Sequence, residues 1–225
     1  MQRLRKNWLR IITHIGALVP LAVLIWDYTQ DNLTVNPIQE VTFRTGKTAL
    51  VLLILCLACT PLNTLFGLKQ VLPLRRPLGL YAFMYVCLHL FTFAVLDYGL
   101  DLSLIQEAIV EKRYVLVGFT AFLLLVPLAI TSTKGWQRRL GKRWKLLHRS
   151  IYVAALLAIV HFVWLVKADI REPLLFGTVV VGLLILRAPA IRKSITNLRY
   201  RYRLRQTKVR SVVSSQGSGA RDGEF

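Results

Sequence analysis

His89 and His161 each stand inside a long apolar run, where an ionisable side chain is costly to bury and marks a site of chemistry more often than of packing. Counting from the outer end of each run at about 1.5 Å per helical residue puts His89 roughly 12 Å deep and His161 roughly 8 Å deep. Two imidazoles at similar depth could grip one planar cofactor from its two faces. Imidazole ligates haem iron, and low-spin iron between two neutral histidines changes oxidation state with little rearrangement, which suits electron transfer. The plainer alternative is that each histidine is a polar residue satisfied by a neighbouring carbonyl. Zinc fits less well, because a closed zinc site needs four ligands and only Asp27 and Asp97, near the rim, stand close to that depth.

His148 lies thirteen residues before His161, a rise of about 20 Å, which makes it a candidate ligand for a second or conditional site near the other face. At about 100° per residue the two rings point roughly 140° apart on a straight helix, so they share a seam only if the helix winds irregularly. The corresponding start of the third run offers Arg75 and Arg76, and arginine is not a haem ligand. Arg75 and Arg76, followed by Pro77, could clamp a phosphate or haem propionates, although anchoring at a charged membrane face explains them as well. His14 reads as a helix-packing polar residue. Cys56 and Cys59 have CxxC spacing but sit mid-run, away from an exposed helix N-terminus, so with Cys87 they read as buried packing residues.

These residues need membrane helices to position them. Of the 225 residues 55% are hydrophobic, and the mean hydropathy is +0.50, too apolar for a soluble domain and too evenly spread for one anchor. Six runs, roughly 9–26, 48–66, 78–97, 114–131, 146–166 and 173–191, are long enough to cross about 30 Å of hydrocarbon. The expectation is an all-α, polytopic six-helix bundle over 1–210 that binds haem, followed by a disordered tail or expression remnant over 211–225. Prolines 20, 61, 127 and 173 should kink or start helices, and no internal repeat is apparent.

The net charge of +19 would suggest nucleic acid in a soluble protein, so its distribution decides the matter. Of 30 lysines and arginines, 24 fall in 1–10, 67–77, 132–149 and 187–225, all on one predicted side, whereas nine of eleven acids fall in the intervening loops. That pattern predicts both termini in the cytoplasm. The run Arg199-Tyr200-Arg201-Tyr202-Arg203 then meets anionic lipid, and no nucleic-acid partner is expected. Trp and Tyr at 8, 26, 98, 114, 136, 144 and 164 read as interfacial belts. The first run is longer than a signal-peptide core and lacks a small-x-small cleavage site, so it is expected to be retained. Without a Gly-rich nucleotide loop, serine elbow or paired carboxylates, hydrolysis and direct NAD(P)H binding have no support.

Thr45-Gly46-Lys47-Thr48-Ala49-Leu50, Arg75-Arg76-Pro77-Leu78-Gly79-Leu80, Leu88-His89-Leu90, Thr131-Ser132-Thr133 and Leu140-Gly141-Lys142-Arg143-Trp144 with Leu147-His148 occur in this order. From about Asn36 to Arg187 the chain resembles the haem-binding membrane subunits of bacterial periplasmic methionine sulfoxide reductase systems, within the ferric reductase-like transmembrane group. The resemblance implies an inner-membrane protein that carries haem b and passes electrons to a periplasmic molybdopterin-containing reductase repairing oxidised methionines. It further implies electron supply at the cytoplasmic face from a flavin reductase or the quinol pool, with FMN binding that would employ Arg75 and Arg76. Two-haem members of the group carry two histidines on each ligand helix; this chain has one on the third, which supports His89 with His161 and leaves the inner site in doubt. Alternatives are a self-contained ferric or quinone reductase, and a non-redox transporter or scaffold.

Overall fold

The structure is a computed structural model describing residues 2–166 and 169–199. Its described residues form helices and connecting turns, with no strand among them. The long helices are α1 (Gln2–Thr29), α2 (Pro37–Phe66), α3 (Arg75–Phe91), α5 (Arg113–Ile130), α8 (Ser150–Leu165) and α9 (Arg171–Arg187). Shorter ones are α4 (Leu102–Glu111), α6 (Lys134–Leu140), α7 (Lys142–Leu147) and α10 (Pro189–Arg199). Among the described residues five spans are long and apolar enough to cross a membrane: Trp8–Thr29, Pro37–Phe66, Lys69–Asp97, Arg113–Ile130 and Lys142–Leu165. A sixth candidate forms if α9 and α10, bent by 68°, count as one span. The chain is therefore a multi-pass, all-helical membrane protein. The basic residues from 200 on and the tail over 211–225 lie outside the described residues.

Two elements depart from the apolar runs. Helix α2 starts about ten residues before its expected beginning, because Asn36 caps it by accepting from the Gln39 amide at 3.1 Å and Pro37 occupies the first turn. That first turn and the next are too polar to read as membrane span. The expected 97–113 loop contains α4, started by Asp101, whose carboxylate accepts from the amides of Ser103 and Leu104. Hydrogen bonding to Ser103 and to those amides holds that carboxyl below its ordinary range.

Helix α2 is the axis of the bundle: half of its apolar window is buried, against 11–22% in the other spans. Leu52, Leu53, Cys56, Leu57 and Cys59 pack there with Leu78, Ala82 and Tyr85 of α3. Tyr85, 1% exposed, donates to the Ala17 carbonyl of α1 at 2.8 Å. Outward side chains such as Ile15, Leu123 and Leu175 are exposed, as a lipid-facing surface requires.

Ion pairs show which ends lie together. Asp27, near the end of α1, pairs with Arg44 near the start of α2, which also pairs with Glu40, and Lys47 of α2 pairs with Glu172 at the start of α9. At the other end Pro61 has no amide hydrogen, so the Leu57 carbonyl four residues earlier loses its helical donor. Arg187 of α9 supplies the replacement, donating Nη2–H to Leu57 O at 2.6 Å and to Thr60 Oγ1 at 3.1 Å, while its Nη1–H reaches Tyr152 Oη at 3.0 Å. Arg199 of α10 closes the C-terminus of α2 in the same manner, through the Asn63 and Thr64 carbonyls.

Candidate functional site

His89 projects from the last turn of α3 and His161 from the last third of α8, and their ring centroids are 6.1 Å apart with planes at 88°. Each ring is held by the long helix preceding its own. His89 Nδ1 is 2.8 Å from the Thr42 carbonyl near the start of α2, and His161 Nδ1 is 2.7 Å from the Tyr114 carbonyl at the start of α5. The starts of α2 and α5 thus meet the ends of α3 and α8, so α3 and α8 run in the same direction, as expected for the third and fifth spans.

A carbonyl can only accept, so in both rings Nδ1 carries the hydrogen and Nε2 keeps a free lone pair on the far side. That arrangement of tautomer and aim is what a metal-binding histidine needs. Both rings line a cavity of about 230 Å³ whose walls are mostly aliphatic and aromatic. Two metal–nitrogen bonds of about 2 Å, with about 1 Å from each nitrogen to its ring centre, require a centroid separation of about 6 Å. The observed separation therefore fits one metal ion between the rings, and the apolar walls fit the flat face of a porphyrin. Among the described residues no group of three or more His, Cys, Asp or Glu could hold a bare metal ion.

The carbonyl partners escape a reading of the sequence, since Thr42 lay in an expected loop and Tyr114 in an interfacial belt. Register supplies a signal. In both cases carbonyl and histidine are 47 residues apart, and the second pair follows the first by 72 positions. The same shift relates cavity residues Gly46 to Gly118, Ala49 to Ala121 and Leu53 to Leu125, and the buried Ala82 to Ala154. The hairpins α2–α3 and α5–α8 share this register, through identities too sparse to stand out as a repeat.

The other candidates lie elsewhere. His148 ends α7 beside Thr131, its Nε2 3.1 Å from Thr131 Oγ1 and its ring stacked on Trp144 at 4.0 Å, while Trp144 Nε1–H donates to the Thr131 carbonyl. The break between α7 and α8 supplies the irregular winding that the spacing required. Shifted by 72 positions, His148 falls on Arg76, so the level away from the paired histidines has an imidazole in one half and a guanidinium in the other. Arg75 and Arg76 begin α3 and are exposed, about 20 Å along the helix from His89. Arg75 donates to the Leu72 carbonyl and to Thr60 Oγ1. His14 Nδ1 lies 2.9 Å from Tyr81 Oη, consistent with a packing role. Cys56, Cys59 and Cys87 are free thiols, the first two buried.

The paired imidazoles thus stand across an apolar cavity, on helices of a membrane bundle. The profile of the family described as "Ferric reductase like transmembrane component" matches residues 45–159, about half the chain, and the chain belongs to that family. It is 47% identical over 181 residues to the protein-methionine-sulfoxide reductase heme-binding subunit MsrQ of Xanthomonas axonopodis pv. citri (strain 306), covering 78% of this chain and 83% of that one. To the MsrQ of Rhodospirillum rubrum it is 44% identical over 186 residues, covering 82% and 89%. No solved structure matches.

Proposed function

We propose that this chain is a membrane electron carrier in which haem b sits between His89 and His161. Its electrons would come from a cytoplasmic donor, a flavin with its reductase or quinol, and go to a periplasmic molybdopterin-containing methionine sulfoxide reductase. The observation that carries this reading is the pair of neighbouring imidazoles lining one apolar cavity, each pinned through Nδ1 to a backbone carbonyl so that both Nε2 atoms are free. Its relatives are named as haem-binding subunits of a methionine sulfoxide reductase, which supports both the cofactor and the acceptor. Bound there, the haem would supply reversible one-electron transfer; the protein holds the rings, keeps water out and sets the polarity around the iron.

The charge asymmetry supports the direction. Acids gather at the end that carries the histidines and most cations at the other, so the positive-inside rule puts the histidines toward the periplasm and both termini in the cytoplasm of a bacterial inner membrane. The cytoplasmic face is then about 20 Å from the histidines, too far for one fast tunnelling step, so an inner carrier is required. FMN held through its phosphate by Arg75 and Arg76 is the reading that meets this need, with His148 as a contact or conditional ligand. Replacing both arginines with glutamine is expected to lower flavin retention and the rate of haem reduction while leaving the ferric spectrum intact. Unchanged flavin content and rate would return the two residues to membrane anchoring.

The reading is tested on purified protein by a pyridine haemochrome count with electron paramagnetic resonance. One haem b per chain is expected, and rings at 88° to each other should give a single strongly anisotropic low-field signal. A rhombic spectrum with three resolved features would contradict that ring placement, and protein that stays colourless with haem supplied would reject the haem itself.

A further inference from the structure

Each histidine meets a glycine across the helix contact. A Cβ built on Gly46 would lie 3.0 Å from both Nδ1 and Cε1 of His89, and one on Gly118 would lie 2.6 Å from His161 Nδ1 and 2.9 Å from its Cε1. Real Cβ atoms essentially never approach as closely as at Gly118, and the approach at Gly46 is tighter than in nearly all real contacts; in both cases the obstacle is a ring fixed at its own carbonyl. The register explains the arrangement. In a helix the side chain of residue i+4 leans back over the turn that precedes it, covering the carbonyl of residue i. Gly46 follows Thr42 by four and Gly118 follows Tyr114 by four, so each glycine uncovers the carbonyl that receives a histidine. That carbonyl is also the helical acceptor for the glycine's own amide, and an outside donor reaches it only where no side chain intervenes.

We infer that Gly46 and Gly118 are the positioning residues of the paired-imidazole site: each bares one helical carbonyl, seats the imidazole of the neighbouring helix upon it, and so aims Nε2 into the cavity. The inference rests on His89 and His161 being the axial ligands, and it adds a reason why these rings stand where they do. The same arrangement of glycine, carbonyl and imidazole occurs in both hairpins, which makes coincidental packing a poor explanation. The tighter approach at Gly118 also ranks the two sites. Alanine at Gly118 displaces His161 more than alanine at Gly46 displaces His89, whose contacts leave a few tenths of an ångström more room.

The test uses full-length protein purified with haem, comparing Gly118→Ala and Gly46→Ala with Gly16→Ala and Gly182→Ala, positions where a Cβ meets nothing within 4 Å. Gly118→Ala is expected to convert part of the low-spin ferric signal to high-spin, to weaken haem binding roughly tenfold or more, as when a metal-bound imidazole loses its orienting hydrogen bond, and to release haem to a scavenger faster in step. Gly46→Ala should do the same to a smaller degree, and the controls should match the parent. A second measurement is independent of haem. In haem-free protein Gly118→Ala should lower the unfolding midpoint, and in the His161→Ala background it should not, because the ring it strikes is gone.

Parent-like spectra and release rates in both glycine variants, beside a low-spin parent that loses its signal in His161→Ala, would overturn the positioning role and leave the ligands standing. A midpoint that falls equally with and without the His161 ring would overturn it as well. A parent whose signal survives His89→Ala and His161→Ala would remove the ligand assignment itself, which is a separately readable result.

Discussion

Alanine at His161, or at His89, is expected to weaken haem binding by more than about a hundredfold, because loss of the mere hydrogen-bond partner of a metal-bound imidazole already costs about 10–100-fold. Any haem that remains should be five-coordinate and high-spin, since the opposite imidazole stays pinned to its carbonyl and still presents Nε2. The vacated ring leaves a hole in an otherwise apolar cavity, so added imidazole should enter it and restore a low-spin spectrum. A satisfied polar histidine with no ligand role makes the opposite forecast: haem content and spin state unchanged, and no response to imidazole. Optical titration of the two variants with haem, followed by imidazole, separates these outcomes. Full haem with a low-spin signal in both variants would end the assignment.

The second large effect is expected at the far end of the bundle. Arg187→Ala removes the donor that replaces the amide missing at Pro61, leaving the Leu57 carbonyl, on a residue 1% exposed, without a partner. A buried unsatisfied polar group costs about 1–3 kcal/mol, and the lost contacts to Thr60 and Tyr152 add to it. Pro61→Ala restores an amide hydrogen at position 61, and the helix can then satisfy Leu57 O internally. In that background Arg187→Ala should cost less, by roughly 1 kcal/mol of coupling. Reversible unfolding in mixed micelles across the four proteins measures it, and strict additivity would show that Arg187 serves the fold in some other way. The same argument accounts for a guanidinium within a membrane bundle: it answers a defect in the helix, and its Nε, buried without a partner, is part of the cost.

The membrane architecture was legible because apolar runs of helical length have one economical solution in lipid, and five of the six expected runs correspond to single spans. The sixth is shorter and bent, since Ala188 leaves the helical conformation and Pro189 begins a new helix. The polar first turns of α2 and the whole of α4 were not legible, because a cap such as Asn36 or Asp101 starts a helix whatever its hydropathy. That matters for function, since Thr42 and Gly46 belong to those early turns. Arg75 and Arg76 stood out as paired cations, whereas Arg187, the cation that closes the break in α2, looked like one more charge at the membrane edge.

His89 and His161 could be chosen from sequence because a titratable ring in an apolar run is conspicuous by type, and side-chain type is what a sequence records. Their partners are backbone oxygens, which no letter distinguishes, and two glycines, which the letters record without saying what packs against them. The apolar runs, the charged ends and the choice of the two rings follow from composition and spacing alone. That the rings meet at 6.1 Å, that two hairpins share a register at a shift of 72, and that each imidazole rests on an uncovered carbonyl were decided by helix packing, which alone brings together residues 47 positions apart.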